Sequence, residues 1–496
     1  MWILVAVGGL VLSARRSLRR SGTDRAPREA AGHRQAGGQP AVAVLLLAAF
    51  GVAASQTIVL AALPVLARDF EVTTPSATWL LTAFMLASAV ATPIAGRLGD
   101  QYGHRTVLAA GLGCLAAGSA LAAVGADAGW FAGALAGRAV QGLSGGVFPA
   151  AFGLARATVP PERLGRVVAG LSAMFGVGGA VGMVAAGPVV GVAAPAWLFL
   201  GCLAVALLAL AGTARLPAPG ARGDRARIDV PGALLLTAAV AGLLLTISQG
   251  RLWGWSSAAI LLTASVTLVS AVVFVVTETR TREPLVDLRV LAGRRLAPVG
   301  IATLVVSVGM FAAVTLLPAL AQTPSAAGYG FGYSPARTAL LIAPIAAFMV
   351  LAAPLAARLT SAVGARRVFQ SGTALGSVSL LALALAHDHP WQLTSAGAVL
   401  GIAYGLAFAS VGNLVVGAVD AGSTGVATGM NTILRTIGGA LGAQIAAAIV
   451  AGATPAHAAV PSESGYRAAF LVAAVIVFLA LPAVAELPRR AEPTRT

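Results

Sequence analysis

Two arginines sit where charge is hardest to keep. Arg138 lies inside the apolar stretch 130–152 and Arg435 inside 424–453. An arginine at the centre of a bilayer costs about 2.5–3.5 kcal/mol on insertion scales, so each must face inward and find a partner. Gln141 follows Arg138 by three residues and shares its helical face. Such groups mark paths for charge or polar solutes through a membrane; the alternative is an arginine satisfied by backbone carbonyls, for packing alone. The other polar side chains in apolar stretches include Ser55, Gln56, Gln249, Asn413, Asn431 and Gln444. Some should line a cavity and bond a small-molecule substrate, while hydrogen bonding between helices accounts for the rest. No Asp or Glu falls near the middle of any apolar stretch; Asp127 and Glu278 lie near ends.

The elements that must position these residues are membrane helices. Hydrophobic residues make up 58% of the chain, charged residues 10%, and the mean hydropathy is +0.88. A soluble domain carries roughly 25% charged residues. Apolar runs of about 20 residues, enough to cross the hydrocarbon core as a helix, recur at 41–66, 76–96, 106–126, 130–152, 166–191, 196–213, 230–250, 257–277, 296–320, 336–357, 368–386, 392–416, 424–453 and 466–486. The runs are continuous, not alternating, and so read as helices. Fourteen spans put both termini on one side. Of the 33 basic residues, only Arg68, Arg251, Arg337 and Arg467 fall in the loops of the far side. Apart from Arg138 and Arg435, all the others lie in tails and loops on the near side. The positive-inside rule makes that side the cytoplasm. Residues 1–40 read as a mostly disordered, Arg-rich cytoplasmic tail, and 487–496 as a second cytoplasmic tail.

The chain also repeats. Gly96-Arg97-Leu98 through Gly103-His104-Arg105 matches Ala357-Arg358-Leu359 through Gly364-Ala365-Arg366. Gly142-Leu143 with Gly146 matches Gly401-Ile402 with Gly405. Gly178-Gly179-Ala180-Val181-Gly182 matches Gly438-Gly439-Ala440-Leu441-Gly442, and Leu63-Pro64 matches Leu317-Pro318. The four matches keep one order and nearly one offset. They pair spans one to six (41–213) with spans nine to fourteen (296–486), leaving an inserted pair of spans within 214–295. Two like-oriented halves around a central cavity is a transporter plan.

The segment Gly96-Arg97-Leu98-Gly99-Asp100-Gln101-Tyr102-Gly103-His104-Arg105 resembles the loop signature between helices two and three of the major facilitator superfamily. Ala61-Ala62-Leu63-Pro64, Trp79, Arg138 with Gln141-Gly142, and Ile228-Asp229-Val230-Pro231-Gly232 add a resemblance to its fourteen-helix drug:proton antiporter family. The resemblance implies an all-α major facilitator fold of two six-helix halves plus two inserted helices. It implies alternating access and a multi-pass place in the inner (plasma) membrane. It also implies a loop latch in which Asp100 accepts bonds from a helix N-terminus or an arginine across the halves, and roles for Arg138 in proton and substrate handling. Gly178, Gly182 and Gly187 lie on the glycine-rich face of span five, where small residues let helices approach closely. Two departures stand out. Met183 occupies the place of the Pro that ends the family's fifth-helix motif, and Ser55 the place of its first-helix Asp.

Several classes of function are excluded. The net charge of +16 belongs to helix-flanking loops, not to a nucleic-acid face. Cys114 and Cys202 lie in apolar stretches and read as packing residues. No phosphate-binding Gly-Lys motif points to ATP, and nothing implies a cofactor, a metal or an enzymatic reaction. His387 and His389 read as a solvated outer loop. The expected partners are a small molecule and the bilayer, with the chain monomeric. Export of a hydrophobic or cationic drug, antibiotic or secondary metabolite is the leading expectation; uptake of a sugar or other nutrient and a non-transporting receptor are the alternatives. Single cysteines introduced beside Arg225 and Arg289 should react only from the cytoplasm, and one beside His387 only from outside. External labelling at Arg225 in intact cells would refute this topology.

Overall fold

The computed structural model describes residues 38–72, 74–217, 229–281, 288, 293, 296–419, 424–454 and 460–483. Residues 1–37 of the expected first tail and all of 487–496 lie outside the described residues, as do Arg225, Ile228 and Arg289. In chain order the helices are α1 (Gly38–Asp69), α2 (Thr74–Tyr102), α3 (His104–Asp127), α4 (Phe131–Gly142), α5 (Val147–Thr158), α6 (Pro161–Val192) and α7 (Ala196–Thr213). There follow α8 (Val230–Trp253), α9 (Ala258–Arg280), α10 (Ala297–Gln322), α11 (Pro335–Val363), α12 (Ala365–Leu385), α13 (Pro390–Ala418), α14 (Thr424–Gly452), α15 (Glu463–Phe478) and the short α16 (Ala480–Ala483).

Twelve stretches among the described residues are helices long and apolar enough to cross a membrane. The expected spans 130–152 and 230–250 take other forms. The first is α4 and α5 joined by a 3-10 turn, Leu143–Gly146. Three glycines in five residues, Gly142, Gly145 and Gly146, weaken the α-helical preference there. The second is α8, whose apolar part is shorter, Pro231–Ile247.

Helix starts follow local chemistry. Asp229 Oδ1 accepts from the Gly232 amide at 2.9 Å, and Ser257, Ser334 and Ser462 cap α9, α11 and α15 in the same way. Proline occupies the first turn of α6, α8, α10, α11 and α13, where no amide partner is lost. Gly103 and Gly364 precede α3 and α12 with φ of 93° and 90°, a conformation that side chains resist. These two turns are the repeat-related loops.

The sequence repeat has a geometric counterpart. A Cβ on Gly178 or Gly182 of α6 would lie 2.7 or 2.4 Å from the carbonyl oxygens of Phe50 and Ala54 on α1. A Cβ on Gly438 or Gly442 of α14 would lie 2.3 or 2.1 Å from those of Leu304 and Val308 on α10. Gly142 meets the Phe84 carbonyl of α2 as Gly401 meets the Ile345 carbonyl of α11, each at 2.4 Å from an added Cβ. Gly187 is buried near the far end of α6, one residue before Pro188.

Between the first helix set (α1–α7) and the last (α10–α15), α6 packs on α11 and α13, while α2 and α5 pack on α14. The pair α8 and α9 sits against the α2–α14 seam, where Ala89, Leu236, Val240, Phe274, Met430 and Ile433 form one cluster. The outer face of α9 exposes Leu261, Leu262, Leu268 and Val269, as a lipid-facing helix does. Gly182→Val and Gly442→Val should each force two backbones apart, at a cost of about 1–3 kcal/mol or more. Gly113→Ala, with nothing within 4 Å, should be neutral. Melting of the purified protein in detergent checks the contrast, and equal melting of all three variants would refute it.

Candidate functional site

A narrow cavity opens where α1, α6 and α10 meet. Gln56 and Thr57 come from α1; Phe175, Gly179, Ala180 and Met183 from α6; Met310, Phe311 and Val314 from α10. Its elements are positioned by the glycine contacts above, since Gly178 and Gly182 hold α6 on α1. Thr57 Oγ1 donates to the Gly179 carbonyl at 2.6 Å and is spent on that tie. Gln56 therefore supplies the polar group of the lining, on walls of aromatic, Met and aliphatic side chains. Met183, which stands where the related motif ends in proline, is part of this wall.

Arg138 lies away from the cavity, wholly inside the first helix set. Its Nε donates to the Leu80 carbonyl of α2 at 2.9 Å, and Nη1 to the Ser55 carbonyl of α1 at 2.8 Å and to Gln141 Oε1 at 2.7 Å. Gln141 Nε2 donates onward to Ser119 Oγ of α3, 2.7 Å away. The guanidinium also sits over the Phe84 ring, 4.5 Å from its centroid. One cation thus ties four helices, α1 to α4, through carbonyls and an amide. Ser55 contributes its backbone to this knot, and its hydroxyl donates to the Val52 carbonyl at 2.9 Å.

Arg435 of α14 is equally buried but differently placed. Its Cζ lies 4.3 Å from the Phe175 centroid and 4.9 Å from the Phe408 centroid. Nε and Nη1 find no hydrogen-bond partner among the described residues. Phe175 faces the cavity as well, so Arg435 lies behind the cavity floor.

The other expected site residues are dispersed. Asn431 Oδ1 accepts from Thr303 at 2.8 Å and lines a separate apolar pocket between α10 and α14. Asn413 faces Gly165 on α6, 3.6 Å from where a Cβ would stand. Gly99 is buried against the His104 ring, which also fills the space over Gly153. Gly96 is buried on α2, and Arg97 is half-buried beside it. Arg105 donates to the Ala214 carbonyl at 3.2 Å, a bond inside its own helix set. The side chain of Asp100 lies outside the described residues. His387 is not solvated: it is fully buried, Nδ1 lies 2.7 Å from the Leu383 carbonyl and Nε2 3.6 Å from Glu463, because α15 packs over the end of α12.

One contact between the helix sets had no sequence signal. Arg156, at the end of α5, donates to the carbonyls of Val416 and Val419 at 3.2 and 3.3 Å. A cation there caps the C-terminal end of α13, in the other helix set. One turn before Val416, Gly412 packs closely on Ser172 of α6. These contacts join the two helix sets toward the end that carries the 96–105 loop.

Truncating one member of the Arg138 knot strands buried donors and acceptors, each worth about 1–3 kcal/mol. Gln141→Leu should lower the melting temperature by several degrees, and Arg138→Lys should do so too, because one ammonium cannot reach acceptors on separate helices in a fixed fork. Unchanged melting in both would show that the knot does not hold the helix set together.

The sequence profile of the Major Facilitator Superfamily matches residues 45–443 and 299–496. The tetracenomycin C resistance and export protein of Streptomyces glaucescens is 29% identical over 400 residues, 78% of this chain and 71% of that protein. A multidrug resistance protein B homologue of Mycobacterium tuberculosis is 28% identical over 340 residues, 68% of this chain and 61% of its own length. The crystal structure of the human organic anion transporter MFSD10 superposes with a TM-score of 0.64 at 17% identity, covering 90% of this chain and 99% of that one.

Proposed function

The chain belongs to the Major Facilitator Superfamily, and from that premise we propose that it exports a hydrophobic small molecule by alternating access. The observation that carries the reading is the cavity between the first and last helix sets. Its walls are aromatic, sulfur-bearing and aliphatic, with Gln56 as the polar contact. Of hydrophobic and cationic drugs, this lining favours the hydrophobic. The Streptomyces and Mycobacterium relatives, named as a drug-resistance exporter and a multidrug resistance homologue, support the outward direction.

In this reading the chain has fourteen transmembrane helices. The two remaining spans are the glycine-broken α4–α5 run and α8. Residues 41–213 and 296–486 are the two halves, and 214–295 holds the inserted pair. The arginine bias puts both termini in the cytoplasm of a plasma membrane. The 96–105 end is then cytoplasmic, and the structure corresponds to the state closed to the cytoplasm. Rocking of the halves must break the Arg156 tie before the cavity opens inward. No carboxylate lines the cavity among the described residues, so proton exchange, if it drives transport, is not assigned to a cavity acid.

Direction is tested in vesicles. Inside-out vesicles with an imposed acid interior should accumulate a neutral fluorescent drug, and right-side-out vesicles should exclude it. In right-side-out vesicles held acid outside, the exporter should keep the drug out, and accumulation there would instead identify a proton-driven uptake carrier. Arg156→Gln should loosen the closed end, raise thiol labelling of a Ser172→Cys reporter from the cytoplasmic side, and cut export several-fold. Labelling equal to that of the parent would remove Arg156 from the gate.

A further inference from the structure

We propose that the transported molecule carries one anionic oxygen on an apolar ring system, and that Arg435 is its counter-charge. The inference rests on the reading of the α1–α6–α10 cavity as the transport site.

A guanidinium stays protonated in proteins and offers five donors. Arg435 is 2% exposed, and α14 reaches it 11 residues after Thr424, roughly 16 Å along the helix. At that depth water is scarce and a charge needs a partner. Arg138, which leaves only Nη2 unpartnered among the described residues, shows how this protein holds a buried guanidinium when the role is structural: Nε and Nη1 donate to two carbonyls and an amide on three different segments. Arg435 has nothing comparable. Nε and Nη1 are unpartnered among the described residues, and no acid is paired with it there.

What Arg435 does have is a pair of rings. The Phe175 and Phe408 centroids are 6.4 Å apart. With Cζ at 4.3 and 4.9 Å from them, the rings form a corner around the cation, not a sandwich. Both are negative on their faces and attract the charge, but neither accepts the in-plane N–H bonds. Those bonds call for an oxygen. The corner also joins the two helix sets, since Phe175 belongs to α6 and Phe408 to α13.

The corner is built into the transport cavity. Phe175 lines the cavity on one side and carries Arg435 on the other. One turn along α14, Gly439 packs against Phe311, a second lining ring, at 3.0 Å from an added Cβ. The crevice as it stands is only about 10 Å³, so the helix sets must part to admit a ligand; a flat apolar body then lying between Phe175, Phe311, Met183 and Met310, with a carboxylate or phenolate reaching past Phe175, would satisfy both the walls and the charge. A cationic solute would meet Arg435 with no acid to offset it. The anion also bears on the transport cycle: occupying a corner shared by α6, α13 and α14 gives the ligand contacts that change when the sets move.

The test uses the purified full chain in detergent, with 2-naphthoate, its methyl ester and 2-naphthylmethylammonium as probes, followed by the three- and four-ring analogues of each. Binding is read by isothermal calorimetry and by the shift in melting temperature. The acid should bind at least tenfold more tightly than the ester in at least one ring size, and the ammonium should bind most weakly. Arg435→Gln should bring acid and ester together, and Arg435→Lys should keep part of the preference. Equal binding of acid and ester by the native chain overturns the proposal without any variant having to fold, as does an unchanged preference in Arg435→Gln or no binding of any acid. Replacing chloride by gluconate forms a further arm: if chloride removal lowers the melting temperature and the acids do not compete with chloride, the corner holds a halide and the proposal fails. Vesicle flux separates this from the export reading. Outward movement of the ester but not the acid sinks the anion and leaves export standing, whereas inward movement of the acid keeps the anion and sinks export.

Discussion

Lipid gives helices no hydrophobic reason to associate, since a neighbouring acyl chain is as apolar as a leucine. Association must come from close contact, and here glycine provides it. Where Gly178 and Gly182 of α6 meet α1, and again where Gly438 and Gly442 of α14 meet α10, backbone meets backbone with no room for a methyl group. Everything that can bind or gate depends on those approaches. The cavity walls on α6 are in place because α6 lies against α1, and Arg435 is in place because α14 lies against α10. The two contacts are related by the internal repeat, so one packing solution is used twice.

The two buried arginines show how far residue type and depth determine a role. Both lie deep within apolar helices, and both rest against phenylalanine. Arg138 is closed off by carbonyls of α1 and α2 and by Gln141; it organises a helix set and leaves little for a ligand. Arg435 rests on two rings, and its Nε and Nη1 have no hydrogen-bond partner among the described residues. The difference is one of hydrogen-bond geometry, and it turns on which carbonyls and side chains neighbouring helices bring within 3 Å. Arg138 has the more recognisable motif, yet Arg435 is the one beside the cavity.

The all-helical membrane architecture was legible in the sequence because the length of an apolar run reports directly on the lipid around it. The repeat was legible because glycines at backbone contacts have few substitutes. Three features were hidden. The fourth span looked like one helix, but its glycine cluster bends into a 3-10 turn against α2. Of the polar residues at span centres, Gln56 lines the cavity, while Ser55, one residue away, faces the Arg138 knot; a 100° step along a helix separates lining from packing, and hydropathy does not carry that phase. The Arg156 tie joins segments 260 residues apart, and from sequence it was one more cytoplasmic arginine among many.

The pair α8 and α9 has a consequence for how solutes reach the protein from the side. It covers the seam between α2 and α14, while the opposite seam, where α6 meets α11 and α13, carries no such cover among the described residues. That second seam is paved with Ala169, Ala173, Ala353, Ala356 and Ala409. A molecule dissolved in the bilayer therefore meets two unlike flanks, one screened by an extra helical hairpin and one where the helix sets close directly on each other over buried alanines. The internal near-symmetry of the helix sets is broken at the lipid boundary, and the membrane sees a protein with a front and a back.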